Sequence, residues 1–445
     1  MNDRILAFLV LMAAVVSPFG IAVALAGDVL LDFVFFYPLF MAGVWMAGGL
    51  YFWWHRERQW RWNDPGAVPE LPGRPLVSIL VPCFNEAEHG EQTILAALNQ
   101  NYANIEVIAI NDGSQDGTAQ MLGELASRHP RLRVVHLAEN QGKAMALRMG
   151  ALAANSEYLV CIDGDAMLDP DAVSYLVHPM LVHPRVGAVT GNPRVRTRST
   201  LIGQVQVGEF SSIIGLIKRT QRVYGQVFTV SGVVAAFRRQ ALHRAGYWGL
   251  DMVTEDIDIS WKLQRDHWSI FYEPRALCWI LMPETFRGLW RQRLRWAQGG
   301  AEVFLENIQS IWGWRHRRLW PLVFEFCLST FWAFAFAMSI ILWALGKFVA
   351  LPAHIHIETL VPPAFTGLVL AGACLAQFAV SLFIDRRYEP GLARALYWVI
   401  WYPLAYWMLS LFTSLVSFPK VMLRARRRRA RWVSPDRGIH ARENP

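Results

Sequence analysis

Charged residues are scarce in this chain: they make up 18% of 445 residues, against 54% hydrophobic residues. That balance excludes an ordinary soluble globular protein and fits a membrane protein carrying a sizeable polar domain. Cysteine is sparse too. Cys83, Cys161, Cys278, Cys327 and Cys374 stand apart, none in CxxC or other metal-ligand spacing, which excludes a zinc site and a disulfide framework. Cys83 and Cys161 fall in segments that read as buried strands, which suits a reducing compartment. The glycine-rich dinucleotide fingerprint and the P-loop motif are both missing, which removes support for either kind of nucleotide site. His354 and His356 have no third ligand beside them and read as surface residues of an outer loop.

Tryptophan, by contrast, is abundant, with 20 residues, and it favours membrane interfaces. The net charge of +8 is gathered in basic clusters at 55–61, 287–295, 315–318 and 424–431, each beside an apolar segment. Such placement reads as anchoring against anionic lipid headgroups rather than as nucleic-acid binding. Residues 5–26 and 33–54 are each long enough to cross a hydrocarbon core, which needs about 20 apolar residues. The first ends in Ala24 and Ala26, a pattern open to signal peptidase, but only Arg4 beside Asp3 stands before it. Cleaved or not, the second segment runs into His55, Arg56 and Arg58, which places the middle of the chain in the cytoplasm.

Three later segments, 320–349, 363–384 and 396–418, bring the candidate spans to five, which puts the tail outside. Yet Arg424, Arg426, Arg427, Arg428, Arg429 and Arg431 argue for a tail inside, as do Arg386 and Arg387 for the preceding loop. The charge rule is preferred, so 396–418, which contains Pro403, is expected to be partly interfacial or re-entrant. Glu325 and Lys347 lie towards the ends of their segment, and so few intramembrane charges give an ion-coupled transporter little support.

A Pro/Gly-rich linker over 55–75 leads into alternating strands and helices. Residues 76–81, 105–110, 133–137 and 158–162 read as buried strands; 86–99, 118–128 and 143–154 read as helices. This rhythm predicts an α/β domain over 76–284 with a doubly wound, mostly parallel sheet and ligands at the carboxyl ends of its strands. Residues 285–318 read as interfacial helices, 319–420 as about three late spans and 421–445 as a basic tail.

Within the polar stretch four constellations carry chemistry. Asp112, at a strand end in Asn111, Asp112, Gly113, Ser114, fits either ordinary turn chemistry or a carboxylate that accepts from a base or ribose. Asp163 and Asp165 leave a buried strand together. Paired carboxylates repel, and a hard divalent cation such as Mg²⁺ or Mn²⁺, bridging to phosphate oxygens, relieves that repulsion; a solvated acidic loop is the plain alternative. Thr254, Glu255 and Asp256 precede a helical stretch, as a capping motif or with Asp256 as general base. Gln292, Arg293, Arg295 and Trp296 lie on an amphipathic segment over 286–304 whose arginines suit an interface, and guanidinium groups there can neutralise a departing diphosphate while the indole stacks on a sugar face. Lys143 fits a donor-phosphate contact or a solvated helix start.

Taken in order, Asp112, Asp163 with Asp165, Thr254–Glu255–Asp256 and Gln292–Arg295–Trp296 resemble the D, DxD, TED and QxxRW series of the processive family-2 glycosyltransferases, which include cellulose, chitin and hyaluronan synthases. The likeness covers about 75–307 in its motifs and extends to the flanking apolar segments. Within the family, the length, the span layout and the run from Trp432 to Gly438 are most similar to the bacterial polymerases that build β-1,6-linked N-acetylglucosamine for biofilm from UDP-N-acetylglucosamine. The resemblance implies a GT-A-type fold, inverting processive transfer to a growing polysaccharide, and a multi-pass enzyme of the bacterial inner membrane with its catalytic domain in the cytoplasm. It implies that Asp112 holds uridine, that Asp163 and Asp165 serve diphosphate and Mg²⁺ or Mn²⁺, that Asp256 is the base supported by Glu255, and that Gln292, Arg295 and Trp296 hold the acceptor end and diphosphate. It also implies a small membrane partner subunit with cyclic-di-GMP control at the joint surface. The chain departs from cellulose synthases in showing no PilZ-like domain and no recognisable gating-loop motif. Other family synthases, a single-transfer enzyme acting on a lipid phosphate, and a transporter or receptor with an inactive domain are the alternatives.

Overall fold

Apolar residues on both faces of consecutive strands demand cover on both sides, and helices supply it. The computed structural model describes residues 3–62, 64–361, 364–400, 402–424 and 431–432. Arg426 to Arg429 and the run from Val433 to Gly438 therefore lie outside the described residues. Two apolar helices come first, α1 (Asp3–Ala24) and α2 (Gly27–His55). Then strands and helices alternate: β1 (Val77–Cys83), α3 (Gly90–Leu98), β2 (Ile105–Asp112), α4 (Thr118–Arg128), β3 (Leu132–Leu137), α5 (Lys143–Ala153) and β4 (Tyr158–Ile162). Every residue of β1 and β2 is buried, as two-sided cover requires. Next come β5 (Met167–Leu168), α6 (Ala172–Val182), β6 (Val186–Val195) and α7 (Leu201–Glu209). A π-helical segment, Phe210–Leu216, leads directly into α8 (Ile217–Tyr224). The domain closes with β7 (Val234–Arg238), α9 (Arg239–Ala245), α10 (Glu255–Arg265), β8 (Ser269–Ile280) and α11 (Phe286–Asn307).

The eight strands form one sheet in the order β3-β2-β1-β4-β7-β6-β8-β5. β3, β2, β1 and β4 are parallel, the doubly wound half that the sequence predicts. The other half is mixed. β7 runs antiparallel to both β4 and β6, β6 and β8 are parallel, and β5 is antiparallel to β8. The reversal beside β4 leaves a crevice at the carboxyl ends of the parallel strands, where open α/β sheets bind ligands.

Three more long helices follow, α12 (Trp320–Leu345), α13 (Ala364–Asp385) and, after the short α14 (Ala395–Val399), α15 (Tyr402–Met422). Among the described residues, four helical stretches are long and apolar enough to cross a membrane: Arg4–Ala24, Gly27–Gln59, Trp314–Leu345 and Phe365–Asp385. α15 is not one of them, and both of its ends pack on the polar part of the molecule. Tyr402 donates to Glu209 of α7 at 2.8 Å, and Arg424, just past its end, pairs with Glu302 of α11 at 3.1 Å.

A buried ion network joins the sheet to the apolar helices. Arg219 of α8 binds Glu57, just after α2, at 2.7 Å and Asp385, at the end of α13, also at 2.7 Å. Arg194 of β6 reaches the same Asp385 at 3.1 Å, and the Tyr388 hydroxyl donates to Glu57 at 2.7 Å. Alongside it α8 lies very close to α2. A Cβ at Gly48 would come within 2.4 Å of the Thr220 side chain, and one at Gly49 within 2.2 Å of Leu216. Only glycine permits that approach.

Candidate active site

The site is assembled from strand and helix ends. Asp112, the last residue of β2, is fully buried, and its two oxygens accept from the backbone of Gln141 and Gly142, each at 2.8 Å. These bonds shape the turn that starts α5 and present Lys143, its first residue. The Lys143 ammonium sits between two carboxylates, 2.5 Å from Asp163 and 3.0 Å from Glu255, and donates to the Gly232 carbonyl at 3.1 Å. Asp163 follows β4 directly; Glu255 opens α10.

Charge is unevenly shared in this group. Burial works against the Lys143 ammonium, but Asp163 and Glu255 outweigh it and hold the lysine above its ordinary value. Burial pushes the Asp163 carboxyl up, with Lys143 opposing and Asp165 reinforcing. For Glu255 burial is overcome by Lys143, helped by Arg295, and the carboxyl lies below its usual range. Asp256 is pushed up to about 6, by burial first and by the charge of Glu255 second, against Lys143 and Arg295. Two adjacent carboxyls thus titrate apart, one fixed as an anion and one poised near neutrality.

Thr254 occupies the N-cap position of α10, yet its side chain makes no capping bond. The hydroxyl is buried and has no hydrogen-bond partner among the described residues. It abuts α11 at Gly299, where a Cβ would lie 1.8 Å away. Capping therefore does not explain this residue, which also lines the cavity described next.

On α11, Arg293 is buried against Glu209 at 2.8 Å, donates to the Gln292 side chain at 2.9 Å and lies 4.1 Å from the Trp296 ring centre. It orients its neighbours from behind, while Gln292, Arg295 and Trp296 face the site. One cavity of about 460 Å³ receives them all. Of the residues singled out from the sequence, Lys143, Asp163, Asp165, Glu255, Asp256, Gln292, Arg295 and Trp296 line it. Asp112 does not; it stands behind the 140–142 turn. Away from the carboxylates, the lining comes from the apolar helices: Tyr37, Trp45, Glu325, Ser329, Trp407 and Ser410.

Residues 72–299 match the family model described as glycosyltransferase like family 2. A poly-β-1,6-N-acetyl-D-glucosamine synthase of Staphylococcus epidermidis is 39% identical over 414 residues, covering 92% of this chain and 98% of the relative. A synthase of the same name from Staphylococcus aureus is 40% identical over 413 residues, with the same coverage. The chain belongs to glycosyltransferase family 2. A mannosyltransferase from Pyrobaculum calidifontis, solved with GDP-Man and Mn²⁺, superposes with a TM-score of 0.57 at 22% identity, over 87% of this chain and 99% of that one. That likeness is one of fold, the GT-A-like mixed sheet.

Sequence reasoning passed over several residues of this transferase's cavity. Lys218 of α8 is buried at 5% exposure and lines it. Burial pulls its amine down to about 7, against the opposing charge of Asp256. Nothing in the pattern of Lys218, Arg219 and Arg222 separates this lysine from an interfacial basic run. Glu325 was legible only as a charge near the end of an apolar segment, and Trp45 and Trp407 only as span aromatics. Among the described residues, no three His, Cys, Asp or Glu side chains are grouped as a self-sufficient metal site.

Proposed function

We propose that this transferase polymerises N-acetylglucosamine from UDP-N-acetylglucosamine into β-1,6-linked poly-N-acetylglucosamine, with inversion, at the inner membrane of a bacterium, and passes the chain outward for a biofilm matrix. The observation that carries this reading is the single cavity that joins Lys143, Asp163, Asp165 and Asp256 to the aromatic lining of the apolar helices. The identity to the staphylococcal synthases over nearly the whole chain supports the choice of sugar and linkage.

In this mechanism Asp256 takes the proton of the acceptor's C6 hydroxyl. The oxygen attacks the anomeric carbon from the face opposite the α-linked diphosphate. The new C1–O6 bond forms as the bond to phosphate breaks, UDP leaves, and the configuration becomes β. A positioned carboxylate base is worth about 10²–10⁴ in rate. Its value of about 6 keeps Asp256 mostly ionised at neutral pH yet basic enough to accept a proton. Arg295 and Lys143 place positive charge where the leaving diphosphate gathers negative charge. Asp112 contributes by shaping the turn that presents Lys143. Trp296 offers a ring for the acceptor sugar, and Gln292 an amide for its hydroxyls.

Asp163 and Asp165 suit a divalent cation that is shared with the donor: two hard oxygen donors face the cavity, and a diphosphate supplies the rest, the arrangement Mg²⁺ usually takes. Such an ion would neutralise charge on the diphosphate. The polymer is polar and uncharged, and a protein-lined path spares it contact with lipid.

The test is incorporation of radiolabelled UDP-N-acetylglucosamine by membranes containing the protein, followed by linkage analysis. Polymer with β-1,6 linkages is the expected product. Lipid-linked monomer, or label from another UDP-sugar only, overturns the reading.

A further inference from the structure

α8 turns one edge into the cavity. Ile217, Lys218 and Gln221 all line it, and positions i and i+3 share a helix face. The wall leading into that edge is apolar, built by Phe210, Ile213 and Ile214 of the π-helical segment. A buried lysine in such a wall is costly unless it is paired. Yet among the described residues no carboxylate comes within ion-pair distance of Lys218, and its one hydrogen bond is to the Thr190 hydroxyl at 3.1 Å. A lysine nitrogen carries two N–H donors as the amine and three as the ammonium, so at least one is left for something that is not protein. Thr190 is a fixed anchor, because its hydroxyl also accepts from the Ser231 backbone at 2.7 Å.

One turn further on, the Gln221 carbonyl oxygen accepts from the Phe228 backbone at 2.9 Å, while its amide donates to Glu325 of α12 at 3.4 Å. Glu325 also accepts from Trp45 at 3.3 Å and from Tyr224 at 3.2 Å. All three contacts are long for bonds to a carboxylate, which favours shorter donors. A loosely held carboxylate is a ready acceptor for hydroxyl groups. From Lys218 to Gln221 the helix rises roughly 4.5 Å, about the span of one sugar ring. The aromatic lining nearby includes Trp45 and Trp407, whose rings are stacked within 6° of parallel at 6.5 Å. A pyranose chain presents apolar C–H faces and polar edges, and this half of the cavity presents rings together with a polar ladder.

We propose that Lys218 and Gln221 of α8, with Glu325 of α12, form the acceptor subsite that reads the hydroxyl and acetamido edge of the growing chain just beyond the transfer point. This rests on the polymerase reading above. Lys218 donates to an acetamido carbonyl or ring-substituent oxygen, Glu325 accepts from hydroxyls, and Gln221 bridges them.

The experiment uses the full-length purified protein with UDP-N-acetylglucosamine, and compares Lys218→Met and Glu325→Gln with the unsubstituted enzyme. Each variant is expected to shorten the polymer and to slow elongation on the order of tenfold, the loss of one hydrogen bond to a charged group. The dissociation constant for UDP, measured separately, is expected to stay within about twofold, well under the loss of one such bond. A purely structural role would lower the amount of active enzyme but leave the length of the product unchanged, so chains of unaltered length overturn the proposal. Loss of UDP affinity in step with the rate also overturns it, by moving Lys218 to the donor side. Thr190→Val, which removes the Lys218 anchor together with the acceptor of the Ser231 N–H, is expected to shorten chains less; no effect on length there counts against the anchored geometry. If the unsubstituted protein makes no polymer at all, it is the polymerase reading that falls.

Discussion

Asp256 and Glu255 are neighbours in sequence with opposite electrostatic fates. Lys143 claims Glu255 directly at 3.0 Å, while Asp256 keeps its burial and gains a neighbouring anion. Asp256, as the proposed base, is therefore ionised above about 6 and protonated below it, so the acid limb of kcat/KM is expected near pH 6. Glu255→Gln removes the anion that helps hold Asp256 up, and a pH–rate profile should show that limb moved to lower pH. An unmoved limb takes Asp256 out of the base role. Asp256→Asn should cut polymer formation by roughly 10²–10⁴ with donor affinity little changed, as read by radiolabel incorporation and UDP-sugar binding. EDTA should abolish incorporation and Mg²⁺ or Mn²⁺ restore it; full activity in metal-free buffer would remove the metal role from Asp163 and Asp165. At this scale the sequence motifs located the acidic cluster, Lys143 and the Gln292–Arg295–Trp296 group of the cavity, but not the rest of its lining. The bonds by which Asp112 shapes the 140–142 turn were not legible, because two backbone contacts across 29 and 30 residues leave no local signature.

α8 is the element on which the molecule turns. One edge faces the cavity through Lys218 and Gln221, while Arg219 enters the buried network with Glu57 and Asp385. Its seat on α2 depends on Gly48 and Gly49. Gly48→Ala places a methyl 2.4 Å from the Thr220 side chain and is expected to cost about 1–3 kcal/mol by overpacking, measured as a lower thermal midpoint together with reduced polymer synthesis. An unchanged midpoint would show that α8 is not held as tightly as drawn. The parallel strands were readable in sequence because burial on both faces writes continuous apolar runs such as 77–83. The mixed half was not, because β6 and β8 pair across some 80 residues and β7 is too short to announce its direction. The π-helical turn before α8 likewise left no pattern to read.

At the level of the whole molecule, the end of the described chain returns to the sheet domain. Trp432 exchanges hydrogen bonds with the Asn140 side chain at 2.9 and 3.2 Å, and its ring lies 6.2 Å from Phe84. We infer that a tail so attached would share one side of the membrane with the cavity's acidic residues. Arg431→Cys should therefore react with a membrane-impermeant thiol reagent in inverted vesicles and not in intact spheroplasts; labelling of intact spheroplasts would require that this contact be absent. The sequence by itself determined the apolar helices, the wound half of the sheet and the order of the chemical motifs, since hydropathy, strand burial and residue type are all local properties. What the two ends of α15 pack against, and which side chains share one cavity with Asp256, only the tertiary structure decided. Those outcomes depend on contacts such as Tyr402 with Glu209 and Lys218 with Thr190, made between segments far apart in the chain, whose energies no local pattern records.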